Sequence, residues 1–361
     1  LMVDEAHMYK NLATVSNIQG AAIAGSERAT DLHMKLELLR ERNGARIATL
    51  ATATPLANSV TEANVMLRYL RPDLLDEAGV TSFDGWAATF GQQVTEMEMG
   101  PAGGFRLKER FARFQNVPEM LKMWHVFADV KTPDDLDLPV PAVAARPSDG
   151  KREVETVVLQ PTPSLESFVE TLGERAEAIA ARKVSPKDDN MLLVSSHGRT
   201  AALDMRALDE GATPDGPVKL DAVAEPSFAE WQRTRENEYL DETGQPSTVR
   251  GGMQMVFCDL SVPNDQRWNA YGELKKQLTE AGMPDGSVRF IHEARNNTEQ
   301  ARLFAAARAG HIAVLVGSTE RMGMGTNVQS RITALHHIDC PWRPADLEQR
   351  DGRAIRQGNQ N

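Results

Sequence analysis

Apolar residues fall along this 361-residue chain in three regimes. At the start, the apolar run Leu1-Met2-Val3 leads straight into acidic residues, and a second apolar run over 46–51 follows a helical pattern over 29–42. A strand, loop, helix, strand succession predicts parallel strands with helices on their faces. Residues 61–69 read as another helix, which Pro72 stops because it lacks an N–H and clashes with the preceding turn. From 71 to 216 helical spacings are separated by breaks, including Gly100-Pro101-Ala102-Gly103-Gly104 and the Pro-rich 138–147. One strand is predicted there, over 153–159, and residues 164–182 read as an amphipathic helix packed on a core. From 218 onward, strands are predicted over 253–258, 288–291, 312–316 and 332–338, with helices over 264–281, 298–309 and 345–355. That alternation predicts a doubly wound domain.

The expected fold class is therefore α/β. Two parallel-sheet domains are predicted, an incomplete one over 1–70 and a second over 217–361, separated by a mostly helical insertion over 71–216. A composition of 41% hydrophobic and 25% charged residues is that of a globular chain long enough for two cores. No apolar run approaches the roughly 18 residues of a membrane span and no leader-like segment opens the chain, so a cytoplasmic protein is expected. Cys258 and Cys340 sit in apolar, strand-like settings and read as buried reduced thiols, with no zinc-binding spacing around them. The net charge of -11 argues against a surface coated in nucleic-acid contacts, although phosphate contacts need only a local basic track. Arg28, Lys35, Arg40, Arg42 and Arg46 form one such track, which reads equally as a solvated helix face. Arg343, Arg350, Arg353 and Arg356 form another. Both ends of the sequence read as cut, which suggests a fragment.

Four segments carry candidate chemistry. Asp4-Glu5-Ala6-His7 follows a strand end, where open α/β sheets place their ligands. An Asp there can hold Mg²⁺ through water, and a neighbouring Glu can deprotonate a water that attacks a γ-phosphate. Ala51-Thr52-Ala53-Thr54-Pro55 ends the next predicted strand, with small and hydroxyl residues that allow close backbone turning. Gly317-Ser318-Thr319-Glu320-Arg321-Met322-Gly323-Met324-Gly325-Thr326-Asn327 follows the strand ending at Val316 and suits a phosphate or DNA backbone. In Gln349-Arg350-Asp351-Gly352-Arg353-Ala354-Ile355-Arg356-Gln357-Gly358, Arg353 and Arg356 are three apart. On a helix they would share a face and grip one phosphate.

In order and rough separation, these four segments resemble motifs II, III, V and VI of superfamily-two helicases. His337-Ile338-Asp339-Cys340-Pro341-Trp342-Arg343-Pro344 and the long insertion resemble the Swi/Snf branch. Met8-Tyr9-Lys10-Asn11, Phe257-Cys258-Asp259-Leu260 and the run over 340–348 are similar to phage- and plasmid-borne Snf-like proteins that join a helicase to an adenine-specific DNA methylase. The resemblance implies two RecA-like domains that hydrolyse ATP with Mg²⁺ in the cleft between them and move along DNA, expected to be duplex. It implies Asp4 as the Mg²⁺ residue, Glu5 as the water activator, and His7 and Thr54 as links between nucleotide state and DNA. Arg353 and Arg356 would be arginine fingers, Gly325 and Gln349 would line the nucleotide cleft, and Ser318 and Thr319 would meet the DNA backbone. One departure is plain: no Gly-x-x-x-x-Gly-Lys-Ser/Thr phosphate loop occurs in the sequence, which predicts weak nucleotide grip and little activity of this chain alone.

Two other readings stay open. Asp339-Cys340-Pro341-Trp342 approximates the loop with which amino-methyltransferases grip a flipped adenine, but its second residue is Cys and no glycine-rich S-adenosylmethionine loop follows an early strand. A non-catalytic DNA-binding or scaffold fragment is the other.

Overall fold

The structure is a computed structural model that describes all residues except 19–20, 57–58, 100–104, 147, 265 and 324–326, and only the backbone of 99, 106, 108, 110, 112, 133–134 and 323. The chain divides into two compact units, Leu1–Leu136 and Asp137–Asn361. The division falls inside the predicted insertion.

In the first unit, β1 (Met2–Val3) and β2 (Thr49–Leu50) pair in parallel, with Met2 opposite Thr49 and Val3 opposite Leu50. Between them runs α1 (Glu27–Asn43), opened by the Ser26 hydroxyl accepting from Ala29 N and closed at Gly44, whose φ of 81° is costly for other residues. Ala29, Leu32 and Leu36, three and four apart, put one stripe of α1 against α2 (Thr61–Leu70) in a core with Leu12, Val65, Met66 and Tyr69. Pro72 ends α2 as predicted and opens α3 (Pro72–Glu77), a position where its missing N–H costs nothing. The predicted buried strand over 46–51 is corrected: it shortens to two residues, with Thr49 exposed and Leu50 half-buried. A sheet of two strands covers little surface, and here α1 and α2 supply the burial instead.

The rest of this unit corrects the expectation of a nearly strand-free insertion. After α4 (Phe83–Phe90) the chain forms a long antiparallel hairpin, β3 (Gly91–Met99) and β4 (Phe105–Phe114), followed by α5 (Val117–His125) and α6 (Pro133–Leu136). Phe111 and Phe114 at its base pack with Phe83, Trp86 and Phe90, while Met97, Phe105 and Leu107 farther out are exposed. The glycine-rich break of 100–104 lies outside the described residues. The strand expected over 153–159 does not form: that stretch is irregular, and Val154, Val157 and Val158 are exposed. β-branched residues favour a strand only where a neighbouring strand or core receives them.

In the second unit, α7 (Pro163–Ala180) packs on α8 (Met191–Leu203) through Leu172, Ala176 and Val194, as the amphipathic pattern predicts. Next come α9 (Lys219–Thr234), β5 (Met253–Phe257), α10 (Ala270–Glu280), β6 (Val288–Phe290), α11 (Asn297–Ala309), β7 (Val314–Gly317), α12 (Thr319–Gly323), β8 (Ile332–His337) and α13 (Pro344–Asp351). The four strands form one parallel sheet in the order β6-β7-β5-β8. Alternate residues of β5 face opposite layers. Val256 meets α9 and α10 through Leu220, Leu274 and Leu278, whereas Met255 and Phe257 meet α11 and α12 through Leu303, Phe304 and Met322. The predicted strands of this unit stand within two residues of the observed ones. The helix expected from 264 starts only at Ala270, because the Asn269 side chain caps it by accepting from Gly272 N. The helix expected to reach 355 ends at Asp351.

Cys258 is buried as expected, and burial pushes its thiol pKa up. Cys340 is corrected: it lies in the loop after β8 and is exposed. Among the described residues no helix is long and apolar enough to cross a membrane.

Candidate functional site

Polar side chains gather at the carboxyl ends of the strands in each unit. In the first, the chain leaves β1 through Asp4 and turns sharply at Glu5, which adopts φ 50° and ψ 47°, a left-handed conformation costing a non-glycine residue roughly 1–2 kcal/mol. Asp4 is exposed, and one of its carboxylate oxygens accepts from Glu5 N at 2.9 Å. The following 3₁₀ turn, Ala6–Tyr9, is tied to the second strand end by Ala6 N donating to Ala51 O at 2.9 Å. It buries His7, whose Nδ1 lies 3.1 Å from Thr52 Oγ1 and 3.3 Å from Glu5 Oε2. Thr52 Oγ1 also accepts from Thr54 N at 3.1 Å. His7 thus links Glu5 to the loop after β2, where Thr52 joins it to the backbone of Thr54. Three residues after His7, Lys10 donates to the buried Glu62 at 2.8 Å and anchors the turn to α2.

In the second unit the strand ends meet at a topological switch. From β5 the chain passes by α10 to β6, whereas from the adjacent β7 it passes by α12 to β8, on the opposite face. Open α/β sheets place ligands where such connections diverge. Asp259 follows β5, Thr319 follows β7 and Asp339 follows β8. Asp259 accepts from Thr319 N at 2.6 Å and from the Thr319 hydroxyl at 2.9 Å. Asp339 Oδ2 accepts from Leu260 N at 3.1 Å and from Asp259 N over a shorter bond. Arg350 of α13 enters this ring with a side chain 0% exposed. Its Nε donates to Thr319 Oγ1 at 2.8 Å, Nη1 to Asp339 O at 3.1 Å, and Nη2 to Asp259 Oδ2 at 2.8 Å and Asp339 Oδ1 at 3.0 Å. The Phe257 ring lies 5.2 Å from its guanidinium carbon. A second tie holds α13, His337 Nε2 meeting Asp351 Oδ1 at 2.9 Å.

The residues singled out from sequence are distributed as follows. Asp4, Glu5, His7 and Thr54 come together in the first unit, and Ser318, Thr319, Gln349 and Arg353 lie on the carboxyl side of the sheet in the second. Gly325 lies outside the described residues. The helical-face argument for Arg353 and Arg356 is corrected, since α13 ends at Asp351 and both follow it in turns. Arg353 N donates to Arg350 O and Ile355 N to Asp351 O, but Arg356 N turns to Ala354 O. Arg353 Nε reaches Gln349 O at 3.2 Å, and Arg356 is exposed. The Thr319 hydroxyl, expected at DNA, donates to Asp259 and accepts from Arg350. In the early basic track, Lys35 pairs with Asp31 as on a solvated helix face, whereas Arg40 is half-buried, pairing with Glu37 and donating to Tyr69 O at 2.7 Å.

Residues 1–132 match the family profile described as "Probable helicase domain", and residues 238–358 match "Helicase conserved C-terminal domain". Both matches are to helicase profiles, over separate stretches of the chain. The chain is similar to the Defense against restriction protein B of Escherichia phage P1, 26% identical over 144 residues, which are 38% of this chain and 6% of that protein. The matched stretch is thus a small part of that relative's length. The helicase domain of Pyrococcus furiosus Hef aligns over 99% of this chain and 53% of its own at 14% identity and a TM-score of 0.26.

The set that the sequence pattern does not announce is Asp259, Asp339 and Arg350. Arg350 sits inside the most arginine-rich motif, but nothing in the letters separates the buried arginine from its exposed neighbours. The letters do carry a signal for its partners. Asp259 and Asp339 each end an apolar strand, as Asp4 does.

Proposed function

We propose that this chain belongs to an ATP-driven DNA translocase of the Swi/Snf-like branch, with its two units related to the RecA-like halves of such motors. The observation that carries the reading is Glu5, held in a left-handed turn at the end of β1 with His7 beside its carboxylate. Strained backbone of this kind concentrates where a side chain must be aimed. The Asp4 carboxylate is exposed and keeps one oxygen outside the contact to Glu5 N, which fits a metal held by one carboxylate and water. Mg²⁺ bound there would offset negative charge on the phosphates of ATP. Glu5 accepts the proton of the attacking water, and the His7 Nδ1–H orients its carboxylate. Arg353 and Arg356 stabilise charge on the transferred phosphoryl group, Gln349 helps line the nucleotide site, and Ser318 meets the DNA backbone.

The 361 residues contain no Gly-x-x-x-x-Gly-Lys-Ser/Thr sequence, so ATP turnover is expected only when a phosphate-loop segment is joined to the chain. The test is DNA-stimulated ATP hydrolysis by such a joined protein. Glu5→Gln is expected to lower kcat by about 100-fold or more. Unchanged turnover in Glu5→Gln, or equal turnover by the 361-residue chain alone, would overturn the reading. Salt-dependent DNA binding without any nucleotide dependence would instead favour a non-catalytic DNA-binding module.

A further inference from the structure

We propose that Arg350 is a positioning residue: through Asp259, Thr319 and Asp339 it fixes the segment carrying Arg353 and Arg356 against the sheet edge. The inference rests on the reading of those two arginines as phosphoryl-stabilising groups and deepens it.

Three facts carry it. First, the guanidinium is spent inward, on oxygens from the loops that follow β5, β7 and β8, and is wholly buried. Four of its five N–H donors are bonded to protein oxygens and its side chain is closed to solvent, so its role runs through other residues. A planar fork with fixed donors sets orientation as well as distance, which an ammonium cannot do. Second, the segment that follows is built on the end of α13, with Asn359 Nδ2 donating to Ala354 O at 3.0 Å from farther along the chain. Helix α13 stops at Asp351, and Ile355 and Arg356 are exposed. The Arg353 and Ile355 amides are bonded to Arg350 O and Asp351 O, so the turn bearing both arginines is built directly on the anchored residue. Third, Thr319 begins the loop proposed to meet DNA, and its hydroxyl bridges Asp259 and Arg350. Displacing that loop must lengthen a bond to Arg350.

This predicts a defect of alignment rather than affinity. A catalytic group misplaced by about 1 Å loses on the order of 100-fold in rate, whereas nucleotide binding through other contacts persists. Thr319→Val keeps the side-chain shape and removes the bridging hydroxyl, while Arg350→Lys keeps the charge and removes the fork. In the 361-residue chain, both are expected to unfold cooperatively and to exchange the amide hydrogens of residues 353–355 at least about tenfold faster than the parent, with β5 and β7 still protected. In the joined protein, kcat is expected to fall about 10- to 100-fold at unchanged KM for ATP. Thr319→Ser, which restores the hydroxyl, should recover most of both. Should Arg350→Lys not fold, the Thr319 pair decides alone. Parent-like exchange at 353–355 with kcat intact in Thr319→Val, or a loss that Thr319→Ser does not recover, would overturn the proposal. Arg353→Ala and Arg356→Ala test the underlying reading separately. If neither lowers kcat, that reading fails, whatever the exchange data show.

Discussion

At the scale of single residues, energetic weight and chemical exposure separate cleanly along α13 and the turn after it. Arg350 is buried between two carboxylates, and removing one partner of a buried ionic cluster costs about 3–5 kcal/mol because the remaining charges lose compensation. Arg350→Met is therefore expected to lower unfolding free energy by about that amount in urea titration. Arg356, six residues on and exposed, should tolerate Ala within about 0.5 kcal/mol. A second residue-scale expectation concerns pH. His336 Nε2 donates to the Gln254 side-chain oxygen on the neighbouring strand, and burial lowers its pKa from 6.5 to about 4. The folded state thus binds that proton less readily than the unfolded chain, so the contribution is intact above about pH 6.5 and is lost as pH falls toward 4. The ring is only partly shielded from water, and a loss of about 1–3 kcal/mol is expected. Urea midpoints at pH 7 and pH 5 in the parent and in His336→Gln measure it, the variant showing the shallower slope.

At the scale of elements, what the sequence made legible depended on how local the controlling force was. Strands β5 and β7 carry their own signal, because both are buried along their whole length and such strands need a mostly apolar run. Helices α1 and α11 are likewise local, each capped in the structure by the side chain just before it, Ser26 and Asn296. The hairpin of β3 and β4 was not legible. Its outer half alternates charged residues such as Glu96 and Glu98 with apolar ones that stay exposed, and what stabilises it is pairing across the hairpin, invisible in either strand alone. The site divides the same way. Asp4 and Glu5 could be named because adjacent residues act together, whereas Asp259, Thr319, Asp339 and Arg350 span 92 positions and meet only after the sheet has formed. Element packing also yields a test. A Cβ on Gly317 would stand 2.6 Å from both Ile291 Cγ2 and Met322 Sδ, so Gly317→Ala should destabilise the second unit by about 1–3 kcal/mol, read from its thermal unfolding.

At the scale of the whole molecule, the two units have separate cores, and residues 138–162 carry no regular secondary structure among the described positions. Val140, Val154, Val157 and Val158 there are at least 48% exposed, as suits a stretch that pays little to open. Brief proteolysis with a protease that cuts after small apolar residues should cleave within that stretch first. Mass spectrometry should then find two persistent pieces, with ends near 136 and 163. Early cleavage within β5 to β8 would contradict the division.

The ring around Arg350 also bears on descent. Each of its members satisfies at least one of the others, so a change at one position alone leaves a charge or a donor stranded in the interior. Asp259, Thr319, Asp339 and Arg350 should therefore be inherited as a block, altered together or not at all, while the exposed turn beyond Asp351 drifts except where chemistry holds it. Aligned relatives that keep Arg350 but vary freely at Asp259 would contradict this.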